Sequence, residues 1–135
     1  MEWLTFIIIE GAVVAFLVLI RMTLVWPDTA HEWLKKGAKV VDVRSEGQFK
    51  ERHLPGAVSI PLHRLRDMKI RVAPNKEQPL LLHSLSGTRS GMGQVMLRNL
   101  GYPNVFNLGS YERAERILGA QNGNGNGNGT KRARR

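Results

Sequence analysis

The chain has no cysteine anywhere in its 135 residues. That absence excludes a disulfide framework, a thiolate metal site and a lipid-modified cysteine, and it denies any site in the protein a thiol nucleophile. Basic residues are also missing from one end: no Lys or Arg precedes Arg21, although the whole chain carries a formal charge of +9. The Met-Glu start has no basic region and no small-x-small cleavage site follows the apolar run, which argues against a removed signal peptide. The four histidines, His31, His53, His63 and His83, lack metal-ligand spacing and read as surface or hydrogen-bonded side chains. No metal and no cofactor is expected.

What the N-terminus does have is the longest apolar run in the chain. Trp3 to Ile20 is almost wholly apolar and approaches the hydrocarbon thickness of a bilayer, so it reads as a transmembrane helix. Extended past Arg21, which can snorkel, to Trp26, the helix would set Trp3 and Trp26 about 34 Å apart as interface anchors, with Pro27 as its stop. Because every cation lies at or after position 21, the positive-inside rule predicts a single-pass membrane protein with a cytoplasmic domain.

From residue 28 to 119 the chain alternates helical and strand patterns. Asp28 or Thr29 can cap a short helix that Gly37 ends. Lys39 to Ser45 carries Val40, Val41 and Val43 as a buried β-branched run, and a brief helix after it turns Phe49 inward. Pro55-Gly56 is a turn into a short strand at Ala57 to Ile60, and Pro61 can open a helix reaching toward Val72. Leu80 to His83 is a buried strand. The helix beyond it sets Met92, Val95, Met96 and Leu100 at helical spacing; the last strand holds Val105 to Leu108, and Ser110 caps the closing helix. Repeated β–α units predict an α/β domain with a mostly parallel central sheet, helices on both faces, and one transmembrane helix before it. Residues 120–135, a Gly/Asn repeat ending in Lys131 to Arg135, read as a disordered linker with a basic tail. That tail supplies part of the net charge and the rest is spread among Asp and Glu, so a solvated basic surface is expected and nucleic acid is not an expected partner.

Between the third strand and its helix lies the loop Ser84, Leu85, Ser86, Gly87, Thr88, Arg89. A strand feeding a helix N-terminus through small residues gathers unpaired amides and the positive end of a helix dipole, which suits an anion. Ser84 takes the first position, expected to be encircled by the amides of Leu85 to Arg89, with Arg89 as a permanent cation.

Four segments in order, VVDVRS, HLPGAVSIP, SLSGTRSG and NVFNLGS, resemble a single rhodanese domain over about Thr29 to Leu118. The shared features are Asp42 to Arg44 at a strand end, the turn His53 to Ala57, and a six-residue loop of the form Cys-x-x-Gly-x-Arg. The resemblance implies the rhodanese-like fold and sulfur transfer: a loop cysteine takes sulfane sulfur from a donor such as thiosulfate, holds it as a persulfide, and passes it to cyanide or a thiol. Ser84 stands at that cysteine position. Gln48 stands where the family usually has an acid, and Arg52 where it often has Gly.

A serine hydroxyl is too weak an acid to ionise in this field, and an alcohol cannot form a persulfide. The leading expectation is therefore a membrane-anchored rhodanese-like protein of the sulfurtransferase family, inactive as written. Its partners would be a small sulfur-containing anion or a protein thiol, besides the membrane. A non-catalytic module that binds an anion or a partner through the same loop is the alternative. Phosphatase-like chemistry is disfavoured by loop length and by Ser84. Ser84 as a nucleophile would need a general base: the adjacent His83 points to the opposite face of its strand, and although His53 could approach from its turn, a Ser-His-Asp hydrolase built from Ser84, His53 and Asp42 is disfavoured.

Overall fold

The computed structural model describes residues 1–67 and 73–123, with the side chains of 121–123 excepted. The expected helix from Pro61 toward Val72 and the tail beyond 123 lie partly or wholly outside the described residues. Within the first of these, Leu62–Arg64 form a short 3₁₀ turn.

Helix α1, Glu2–Thr23, has no buried residue and is long and apolar enough to cross a membrane. It stops earlier than expected. Leu24 is extended, and Val25 donates its N–H to the Asn107 carbonyl at 2.9 Å. Trp26 is therefore outside the helix, and the expected 34 Å helical separation from Trp3 does not hold. Helix α2, Pro27–Lys35, follows directly. Pro27 opens it and Trp26 occupies the cap position without a side-chain hydrogen bond, so neither Asp28 nor Thr29 is the cap. A proline at the first helical position needs no partner for the N–H it lacks.

The core is a four-stranded parallel sheet in the order β2-β1-β3-β4: β1 is Lys39–Asp42, β2 Val58–Ser59, β3 Leu80–His83 and β4 Val105–Gly109. Each parallel pair needs a crossover, and the intervening helices supply it. Helix α3, Glu46–Glu51, starts with a reciprocal cap in which Ser45 Oγ accepts from the Gln48 N–H and the Gln48 side chain accepts from the Ser45 N–H. An amide at position 48 thus does the capping an acid would do. Phe49 is only half-buried and stacks on His53 at 4.1 Å between ring centres.

Strand alternation divides the core in two. Val41, Leu82 and Val105 face α4, Thr88–Asn99, together with Leu97 and Tyr102. Val40, Leu81 and Leu108 face α2 and the final helix α5, with Ala30, Ala114 and Ile117. Helix α5 runs Tyr111–Gly123, past the expected end at Gly119, and Ser110 Oγ accepts from the Arg113 N–H at its start. The pattern within α4 differs from the expected stripe. Ser90, Gly93, Gln94 and Leu97 are its buried residues, Met96 and Leu100 pack partly against the core, and Met92 and Val95 are exposed.

Candidate functional site

The carboxyl ends of β1, β3 and β4 bring the polar residues together. Asp42, at the end of β1, is fully buried and holds the Arg44 guanidinium, whose Nε donates to Oδ1 and Oδ2 at 3.0 Å and whose Nη2 donates to Oδ2 at 2.8 Å. Arg44 also donates to the Arg52 carbonyl. The pair is a buried, bidentate tie between the β1 end and the loop after α3. Its role is structural.

His83 ends β3 on the α2/α5 face. It is fully buried, edge-on to Tyr111 at 5.7 Å, with Nε2 3.7 Å from Asp42 Oδ2. Neither ring nitrogen makes a hydrogen bond of ordinary geometry among the described residues. This corrects the reading of His83 as a surface or hydrogen-bonded side chain. Burial pushes its pKa below the ordinary 6.5, Asp42 opposes that, and Arg44 adds to it.

Ser84 is one residue further and turns toward α4. Its N–H donates to the Gly109 carbonyl at 3.1 Å, and its side chain is 1% exposed. Oγ accepts the Gly87 N–H at 3.0 Å and the Ser90 N–H at 3.3 Å, and lies 3.2 Å from Ser90 Oγ. The Ser90 hydroxyl donates to the Gly87 carbonyl at 3.0 Å. Its one proton is thereby committed, so the proton between the two serines belongs to Ser84. Ser84 is thus held as a neutral hydroxyl, with two amides donating to it and the Ser90 hydroxyl accepting its hydrogen bond.

The loop differs in detail from the expected ring. Only the Gly87 and Ser90 amides reach Ser84 Oγ; Leu85, Ser86, Thr88 and Arg89 are exposed, and Ser86 Oγ donates to Thr88 Oγ1 at 3.3 Å. The cause is Gly87, which has φ +95° and turns the chain tightly ahead of α4. A Cβ there would lie 3.0 Å from the Gly109 Cα. Arg89 makes no hydrogen bond or ion pair among the described residues, leaving its charge at the loop rim.

Asn107 was not singled out by sequence reasoning and proves central. Fully buried in β4, it accepts the Gly109 N–H at 2.8 Å and donates to the Gly87 carbonyl at 3.2 Å. It therefore fixes both glycines that allow the loop and β4 to approach. Its only sequence signal is an asparagine inside the apolar run Val105 to Leu108. The Ser-His-Asp grouping does not assemble: Asp42 is engaged by Arg44, His53 Nδ1 lies 2.9 Å from the Phe49 carbonyl, and Ser84 bonds Ser90.

The chain is similar to known proteins. Residues 27–116 match the profile of the Rhodanese-like domain. The thiosulfate sulfurtransferase PspE of Escherichia coli is 30% identical over 69 residues, covering 51% of this chain and 66% of PspE, just under two thirds of its length. The thiosulfate sulfurtransferase GlpE of Stutzerimonas stutzeri is 30% identical over 87 residues, covering 64% of this chain and 78% of GlpE. Among solved structures, a rhodanese with anions from E. coli superposes with a TM-score of 0.55 at 28% identity, covering 56% of this chain and 89% of that one. The profile match spans most of the chain, and it takes in both the parallel sheet and the Ser84 loop: the chain belongs to the rhodanese family.

Proposed function

We propose that the protein is a membrane-anchored member of the sulfurtransferase family whose anion cradle is intact but whose nucleophile is lost, so that it does not turn over sulfur as written. The observation that supports this reading most is the convergence of the Gly87 and Ser90 amides on Ser84 Oγ at the head of α4. In a cysteine, the same two donors and the helix dipole would favour a thiolate. That thiolate would attack the sulfane sulfur of thiosulfate, forming the persulfide S–S bond as the donor's own S–S bond breaks and sulfite leaves. Arg89, exposed and unpaired at the rim, would draw the anion in. Ser84 cannot follow this course. Its hydroxyl keeps its proton and donates to Ser90 Oγ, which is no base, so no group in the cradle activates it.

The site is then open to small sulfur-containing anions or a protein thiol, and α1 anchors the domain to a membrane with the domain on the cytoplasmic side. The competing reading is a non-catalytic module that binds an anion or a partner through the loop, and the satisfied state of Ser84 favours it over any serine-based hydrolysis. The test is intact mass after incubation with thiosulfate. The chain as written is expected to gain nothing, and Ser84→Cys one sulfur atom; sulfur on the Ser84 form would refute inactivity, and none on the Cys form would refute the intact cradle.

A further inference from the structure

Where α1 ends, three arginines meet away from the Ser84 loop. Arg21, in the last turn of α1, Arg113 and Arg116 line a pocket of about 290 Å³ with Leu24, Val25 and Trp26. None of these lining residues is acidic. Arg113 is fixed in place, because its guanidinium donates to the carbonyls of Leu108 and Val25. Arg21 and Arg116 are exposed and make no hydrogen bond or ion pair among the described residues. Burial holds the Arg113 pKa below its ordinary value, and the charges of Arg116 and Arg21 push it the same way. Three cations held this close without a carboxylate repel one another, and an anion between them relieves the repulsion.

A second groove, of about 490 Å³, joins this pocket through Arg21, Leu24 and Trp26 and continues along α1 past Met22 and Val18. The basic pocket and the apolar groove form one surface with a charged end and an oily end. Trp26, with 79% of its surface exposed, stands at their junction, the position an indole takes at a membrane interface.

We propose that this surface is a binding site for an anionic phospholipid: Arg21, Arg113 and Arg116 clamp the phosphate, and an acyl chain lies in the groove beside Val18 and Met22. The inference rests on the reading of α1 as a membrane anchor. The continuous apolar groove favours a lipid phosphate over free phosphate, which would use the pocket alone. The bound headgroup would fix how the domain sits on the membrane, because Arg113 ties the same spot to β4 and α5.

The full chain in non-ionic detergent provides the test, with lipid retention read by native mass spectrometry. Dihexanoyl phosphatidylglycerol is expected to bind about tenfold more tightly than dihexanoyl phosphatidylcholine, and Arg21→Gln combined with Arg116→Gln should remove most of that preference. Lys50→Gln, on the exposed face of α3, should leave it unchanged. Equal affinity for the two lipids overturns the site, and so does a preference that survives the double substitution. Inorganic phosphate that binds as tightly as phosphatidylglycerol would make this a free-phosphate site and overturn the lipid assignment. Alkaline carbonate extraction of cell membranes separates this from the anchor: release of the chain overturns both readings, whereas retention with equal lipid affinities overturns the headgroup site alone.

Discussion

Buried polar residues at the carboxyl ends of the strands set the terms for this site, since each must find a partner inside the domain. Asn107 serves two backbone groups at once. Asn107→Ala would strand the Gly109 N–H, while the Gly87 carbonyl keeps the Ser90 hydroxyl and the Gly91 N–H as donors, and a loss of about 1–3 kcal/mol is expected in urea denaturation. Asp42 and Arg44 form a buried pair, so removing one partner alone is more severe: Arg44→Met is expected to cost about 3–5 kcal/mol, checked the same way. His83 gives a pH dependence. Its folded pKa lies below 6.5, so below that pH the unfolded chain binds a proton the folded chain refuses. Its contribution to stability is full above 6.5 and is lost as pH falls below it. The melting temperature should therefore fall between pH 7 and pH 5, and His83→Asn should flatten that part of the profile; an unchanged slope would show that the burial of His83 does not control it.

Among the elements, β4 explains most of what surrounds the site. It is an edge strand, and its outward carbonyls are occupied: Gln94 and Arg98 donate to Val105 O, and Val25 donates to Asn107 O. An exposed strand edge invites pairing with other chains, and here side chains of α4 and the segment after α1 cover it. Val25→Pro removes the N–H that makes the last of these bonds, with an expected loss of about 1 kcal/mol and faster amide exchange along β4. The same packing explains the exposed face of α4. Met92 and Val95 border a shallow apolar groove of about 320 Å³ with Phe16, Leu19, Ile20 and Thr23 of α1, whereas the sheet takes Gln94 and Leu97. Helical spacing alone identifies an apolar stripe without saying which neighbour it meets. At the loop, weak binding of sulfate or thiosulfate is expected to shift the backbone amide resonances of Leu85 to Arg89; a titration that leaves them unmoved would argue against an anion cradle.

For the whole molecule, the absence of cysteine is an experimental advantage as well as a chemical limit. Lys50→Cys would place a single thiol on the exposed face of α3. The proposed cytoplasmic orientation predicts that a membrane-impermeant maleimide labels it only after the cells are opened. Labelling of intact cells would reverse the orientation. The described contacts also join the end of α1 to the domain, through Val25, Arg113 and the α4 groove.

The sequence by itself determined the alternation of strands and helices, the apolar N-terminal helix, the rhodanese-like loop and the serine at its first position. These are local properties: periodicity, turn residues and a short motif are written in neighbouring positions. It could not show that Asn107 braces Gly87 and Gly109, that the Ser84 hydroxyl donates to Ser90, that the His83 ring is buried beside Asp42, or that three arginines line one pocket at the end of α1. Those depend on which distant segments meet. A parallel sheet brings residues far apart in the chain to a common edge, and buried polar groups then take whatever partners that edge provides.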